Sequence, residues 1–113
     1  MRIAMARGDI HYERFVIANP DGTQAEIDFD KVYFTVKKSF KETRYIFQKK
    51  LSDGTIEKLS PGDYQVKITP EDTAGMPFGN YVFDIQVQFG DTIKQTFPGE
   101  FAILNEATYP ENE

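Results

Sequence analysis

The sequence predicts an all-β domain, an antiparallel sandwich of about seven short strands, and three observations point to it. β-Branched and aromatic residues dominate: Val, Ile, Thr, Phe and Tyr number 41, whereas Leu, Ala and Met number 13. Such side chains suit a pleated, half-buried surface and lose rotamer freedom in a helix. Apolar residues recur at every second position in several runs, the period of a strand with one buried face. Turn signals separate the runs: Asn19-Pro20-Asp21-Gly22, Ser52-Asp53-Gly54, Ser60-Pro61-Gly62-Asp63 and Gly90-Asp91. No connection has room for the crossover helix that a parallel α/β sheet requires.

The elements follow in order. Arg2 to Arg7 and Ile10 to Ala18 are weaker strand candidates. Lys31 to Lys37 alternates strictly, with Val32, Phe34 and Val36 on one face and Tyr33, Thr35 and Lys37 on the other. The first row belongs to the core and the second to solvent. Arg44 to Leu51 is again weaker, and Tyr64, Val66 and Ile68 then alternate with Gln65, Lys67 and Thr69. Tyr81, Phe83, Ile85, Val87 and Phe89 alternate with Val82, Asp84, Gln86 and Gln88, the longest clean run and therefore the central strand. A last stretch from Thr92 to Leu104 is interrupted at Pro98-Gly99, which predicts a bulge or a strand changing sheet.

One short helical turn is expected near residues 70–75. Thr69 is placed as N-cap, Pro70 at the first helical position, Glu71 and Asp72 in the first turn and Gly75 at the end. A turn here joins two strong strands, as the E to F crossing between sheets does in an immunoglobulin-like sandwich, and Tyr81 shortly after it fits the corner-tyrosine role.

At 113 residues the chain fits one hydrophobic core, with residues 1–106 as the domain and 107–113 as a C-terminal tail. No apolar run approaches the roughly 20 residues of a membrane span, and the start lacks the zones of a signal peptide. With no Cys and a single His, thiolate chemistry, disulfides and Cys/His zinc sites are excluded. Neither a P-loop nor GxGxxG occurs.

The carboxylates offer two clusters. Asp9, His11 and Glu13 share one face of an alternating strand, a conceivable metal or acid/base group, and Asp28 and Asp30 form a spaced pair. Each is read as solvated surface, because a site needs convergent groups from other elements. Asp63, Glu71 and Asp72 are accounted for by turn and helix-cap roles. Charge is uneven: residues 31–58 hold eight Lys/Arg against three acids, net +5, within a chain of net −5. The excess reads as the solvated face of an edge hairpin protected by Lys, ahead of a contact surface for an acidic partner. Nucleic-acid binding is disfavoured by the acidic balance, although Lys and Arg interleave with Tyr33, Phe40, Tyr45 and Phe47. Exposed Tyr33, Tyr45 or Phe40 would instead offer a sugar-stacking platform.

The ordered segments carry a resemblance. They run from Arg7-Gly8-Asp9 through Lys31-Val32-Tyr33-Phe34-Thr35-Val36-Lys37-Lys38-Ser39, Phe47-Gln48-Lys49-Lys50 and Gly62-Asp63-Tyr64 to Ile68-Thr69-Pro70-Glu71-Asp72-Thr73. Phe78-Gly79-Asn80-Tyr81-Val82-Phe83-Asp84-Ile85-Gln86-Val87 and Gly99-Glu100-Phe101-Ala102-Ile103 complete the series. Together they resemble the immunoglobulin-like N-terminal domain of baseplate upper proteins from tailed phages and prophages of Gram-positive bacteria. That domain heads a longer chain, so the resemblance implies a stand-alone component, a prophage remnant or a fragment.

The resemblance implies a non-catalytic tail or baseplate structural module, with no catalytic, cofactor or metal residues to carry over. Implied partners are other tail proteins and a second copy of the chain, without nucleic acid or membrane. Its implied location is the virion, after synthesis in the bacterial cytoplasm. The alternative is a carbohydrate-binding sandwich recognising a host cell-wall polymer, ranked second; a small enzyme built on Asp9, His11 and Glu13 ranks third.

Overall fold

The computed structural model describes residues 1–105 of the chain. The expected tail, residues 107–113, lies outside the described residues. Among the described residues eight strands form: β1 (Arg2–Ala6), β2 (His11–Val16), β3 (Lys31–Lys37), β4 (Phe47–Lys50), β5 (Ile56–Ser60), β6 (Asp63–Ile68), β7 (Gly79–Phe89) and β8 (Ile93–Leu104). One helical turn, α1 (Pro70–Thr73), lies between β6 and β7. A five-stranded sheet in the order β1-β8-β7-β3-β4 packs on a three-stranded sheet in the order β2-β6-β5. This is an immunoglobulin-like arrangement, in which α1 carries the chain from the smaller sheet to the larger.

Three differences from the sequence reading have physical causes. β5 falls in a stretch with no strand signal, because only Ile56 points inward while Glu57, Lys58 and Leu59 are exposed and the register shifts between Lys58 and Ser60. β1 pairs with β8 in parallel, Ile3 opposite Phe101 and Met5 opposite Ile103. A parallel pair needs a long connection, and here almost the whole domain supplies it. No bulge or change of sheet occurs at Pro98-Gly99: β8 continues, with Asp84 opposite Pro98 and Phe83 opposite Gly99. β1 joins β8 only from Glu100, so Pro98 lies where β8 is still an edge, the tolerated place for a proline. Gly99 is small because a Cβ there would collide with the Phe83 ring and the Met1 carbonyl.

The core lies between the sheets. Phe34 stacks at 5.0 Å from Phe83 and 6.3 Å from Phe47, and Phe47 meets Phe101 edge-on at 6.0 Å. From the smaller sheet Phe15 and Tyr64 add a pair at 5.7 Å, with Val66 and Ile68 fully buried beside them. Each such side chain contributes roughly 1.5–3 kcal/mol of burial. β7 is the central strand expected, although β8 is one residue longer.

The corner at α1 is tied by polar contacts. The Asp72 carboxylate accepts from the Thr69 N–H at 2.8 Å and the Thr69 hydroxyl at 2.9 Å. It also meets the Lys49 ammonium at 2.6 Å, joining β4 to α1. Thr73, fully buried, accepts the Gly8 N–H at 3.0 Å and so anchors the turn after β1. The Tyr81 hydroxyl donates to the Pro77 carbonyl at 2.7 Å, the corner contact expected of it. Two Asp-Gly-Thr turns repeat one device: Asp21 accepts from the N–H and hydroxyl of Thr23, and Asp53 does the same with Thr55. Both carboxyls are held below their usual range by those bonds.

Lys49 departs from the reading of residues 31–58 as solvated surface. It is only 7% exposed, and it faces the interlayer space with its charge paired. Removing one partner of such a pair leaves the other desolvated, which typically costs about 3–5 kcal/mol. Lys49→Ala is therefore expected to lower the urea unfolding free energy by about 3 kcal/mol. The exposed control Lys41→Ala is expected to change it by less than about 0.5 kcal/mol. Equal values for the two variants would refute the interlayer role.

Candidate functional site

The register of the larger sheet places two kinds of side chain on its two faces. Val32, Phe34 and Val36 of β3 lie opposite Val87, Ile85 and Phe83 of β7 and form the inner face. On the outer face Tyr33 lies opposite Gln86, Thr35 opposite Asp84 and Lys31 opposite Gln88. β4 extends these rows, bringing Gln48 beside Thr35 and Lys50 beside Tyr33. The segment between β3 and β4 walls the face with Thr43 and Tyr45. It is held by the Lys37 ammonium on the Glu42 carbonyl at 2.9 Å and by the Ile46 N–H on the Val36 carbonyl at 2.7 Å. The result is an open groove of about 380 Å³, with Tyr33, Thr35, Tyr45, Gln48, Asp84 and Gln86 among its lining residues.

Its polar groups are partly engaged with one another. The Gln48 amide donates to the Thr35 hydroxyl at 3.0 Å, a full hydrogen bond. Gln86 reaches Thr96, and Gln88 reaches Gln86, only at 3.4 Å, near the limit of such a bond. Burial raises the Asp84 carboxyl above its ordinary range, and the Lys37 ammonium offsets part of that rise.

A second surface lies at one end of the same sheet. Ile46, Met76, Pro77, Phe78 and Tyr81, with Lys38, line a hollow of about 450 Å³. Lys38, Tyr81 and Glu100 continue it along the sheet end, and Glu100 leads on to Phe40, Met1 and Pro98. Along this band Phe78 is 68% exposed, Met1 57%, Phe40 56% and Ile46 40%. Phe78 with Ile46 and Phe40 with Met1 form two exposed apolar clusters joined through Lys38, Asn80, Tyr81 and Glu100, and clustered apolar side chains mark contact surfaces more often than scattered single ones do.

The carboxylate clusters take other places. His11 and Glu13 do share a face, hydrogen-bonded at 2.9 Å, but it is the inward row that continues to buried Phe15, and both are half-buried rather than fully solvated. Asp9 lies before β2, its N–H donating to the Ala6 carbonyl at 3.2 Å. Asp28 pairs with Lys58 at 2.9 Å, and Asp30 accepts the Gly90 N–H at 2.9 Å, so the two serve different contacts. Asp63 is held by the Arg14 guanidinium, which keeps its carboxyl below the usual range. Among the described residues no three His, Asp or Glu side chains converge to hold a metal ion. Of the four interleaved aromatics, Phe47 is core, whereas Tyr45 and Phe40 are exposed and Tyr33 is half-exposed.

The sequence reading singled out Tyr33 and Tyr45 and missed Gln48, Asp84, Gln86 and Gln88. A usable signal was present, since the solvent rows of β4 and β7 carry amides where Lys and Glu are commoner. No protein-family model matches this chain, and no curated protein does either.

Asp84 has a testable thermodynamic signature. Its carboxyl titrates higher in the folded than in the unfolded chain, so over that interval the unfolded state has already released its proton. Stability then falls as pH rises through the interval. Asp84→Asn is expected to be more stable than the wild type at pH 7 by about 0.5 kcal/mol, the low end for a surface-charge change. The difference is expected to vanish below the ordinary carboxylate range. Urea midpoints at several pH values check this, and a variant less stable at pH 7 would contradict it.

Proposed function

We propose that this chain is a non-catalytic structural module of a phage or prophage tail or baseplate, assembling with other tail proteins and with its own copies. The observation that carries the reading is the apolar band from Phe78 and Ile46 to Phe40 and Met1. Aromatic anchors flanked by polar groups such as Lys38 and Glu100 are the composition of a protein contact. The resemblance of the ordered segments to those of baseplate upper proteins suggests the class of partner. A rigid sandwich that presents sheet edges and loop ends for docking suits such a role. Among the described residues no helix is long and apolar enough to cross a membrane.

Phe78 is the most exposed aromatic residue in the band and contributes little to the core, so it can be changed without unfolding the domain. In tail particles banded from an induced lysate of the encoding host, the wild-type protein is expected at fixed stoichiometry. The Phe78→Asp protein is expected to be depleted at least tenfold from those particles, while its circular dichroism and melting stay those of the wild type. A tenfold loss corresponds to about 1.4 kcal/mol, modest for a central aromatic contact. Wild-type protein missing from abundant intact tails would remove the assembly reading. Full incorporation of the variant would remove the band as its docking surface.

A further inference from the structure

The outer groove of the five-stranded sheet shares no lining residue with the apolar band and has a different chemistry. Its floor is set by regular strand pairing, with Tyr33 opposite Gln86, Thr35 opposite Asp84 and Gln48 beside Thr35. These floor side chains are therefore held on paired strands, while Thr43 and Tyr45 come from the segment between β3 and β4. Its volume of about 380 Å³ lies within the range of small-ligand sites, roughly 300–1,000 Å³.

The lining selects among ligand classes. Asp84 and Lys37 oppose one another in charge, so neither an anion nor a cation is favoured by the field. The amides of Gln48, Gln86 and Gln88 and the hydroxyls of Thr35 and Thr43 both donate and accept, which matches groups that do the same. A sugar hydroxyl is such a group. The long contacts of Gln86 and Gln88 leave their amides free to exchange weak internal bonds for better ones. Tyr33 and Tyr45 add aromatic rings to the lining, and an aromatic ring packs on the C–H face of a pyranose without losing its hydroxyls to an apolar wall.

We propose that this groove binds a neutral saccharide unit, with Tyr33 and Tyr45 packing on the sugar ring and Gln48, Asp84 and Gln86 hydrogen-bonding its hydroxyls. Asp84 lies between Thr35 on β3 and Pro98 on β8, where burial disfavours its charged form. A carboxylate kept at the expense of stability is a recurrent mark of a functional site. An ionised carboxylate accepts stronger hydrogen bonds from hydroxyls than the neutral amides around it do. The occupant is thereby a hydroxyl-bearing ring rather than a carboxylated one, whose carboxylate gains nothing from the balanced charges and meets the acceptor-only oxygens of Asp84.

The test is a titration of the ¹⁵N-labelled chain followed by NMR. The probes are glucose, galactose, N-acetylglucosamine, the β-1,4-linked tetramers of glucose and of N-acetylglucosamine, and glucuronate as the anionic counterpart. At least one neutral sugar is expected to shift backbone and side-chain amide signals of Tyr33, Thr35, Tyr45, Gln48 and Gln86, saturating at millimolar concentration. Glucuronate is expected to bind more weakly than glucose. Gln86→Ala and Asp84→Asn are each expected to weaken binding about tenfold, the loss of one good hydrogen bond. Because Asp84→Asn is expected to be at least as stable as the wild type, its weaker binding would not be a folding defect. The proposal is overturned if no neutral sugar shifts these signals, if the shifts map to another surface, if glucuronate binds best, or if both variants bind as the wild type does.

Discussion

The pairing register between β3 and β7 is the constraint on which the rest of the structure depends. Side chains alternate faces with a period of two, so a single register assigns both surfaces of the sheet at once. With Phe34 opposite Ile85 and Val36 opposite Phe83, the aromatic core of Phe34, Phe83, Phe47 and Phe101 closes. The same alignment sets Tyr33 against Gln86 and Thr35 against Asp84 on the other side. A slip of one residue would turn Asp84 and Gln86 into the core and Phe83 and Ile85 into water. Three buried apolar residues on each strand oppose that slip, so the polar face inherits its geometry from core packing rather than from its own weak contacts.

The two layers are joined where the chain passes from β6 to β7. Lys49 from an edge strand, Asp72 on α1 and Thr69 before it share one carboxylate, while Thr73 holds the turn after β1. Tyr81 closes the corner on Pro77. These contacts fix the segment from Ala74 to Gly79, which carries Phe78, beside the segment between β3 and β4, which carries Phe40 and Ile46. The exposed apolar band is thus built on loops whose roots are rigid, and its side chains project from an ordered corner. The groove and the band share the segment between β3 and β4 but face different ways: Thr43 and Tyr45 line the first, and Ile46 and Lys38 line the second.

Much of the fold was legible because alternation and turn chemistry are local. β3 and β6 match their expected spans almost residue for residue, and Thr69, Pro70 and Asp72 took the cap roles read from their order. β5 was not legible, since one inward residue followed by an irregular register leaves no period to detect. Pro98-Gly99 misled because its cause is tertiary: the glycine makes room for Phe83, which lies opposite it on another strand. Lys49 was hidden for the same reason, its partner Asp72 lying 23 positions along the chain on another element. The groove was half legible. Tyr33 and Tyr45 stood out as aromatic residues, but Gln48, Asp84 and Gln86 acquire meaning only when β4, β3 and β7 lie side by side.

A direct measurement of the β3–β7 register tests the central claim. Cross-strand backbone NOEs in the ¹⁵N,¹³C-labelled chain are expected between Tyr33 and Gln86 and between Thr35 and Asp84, with Val36 opposite Phe83. NOEs that instead set Thr35 against Phe83 or Ile85 would place the core and the polar face on the wrong sides of the sheet and contradict the account.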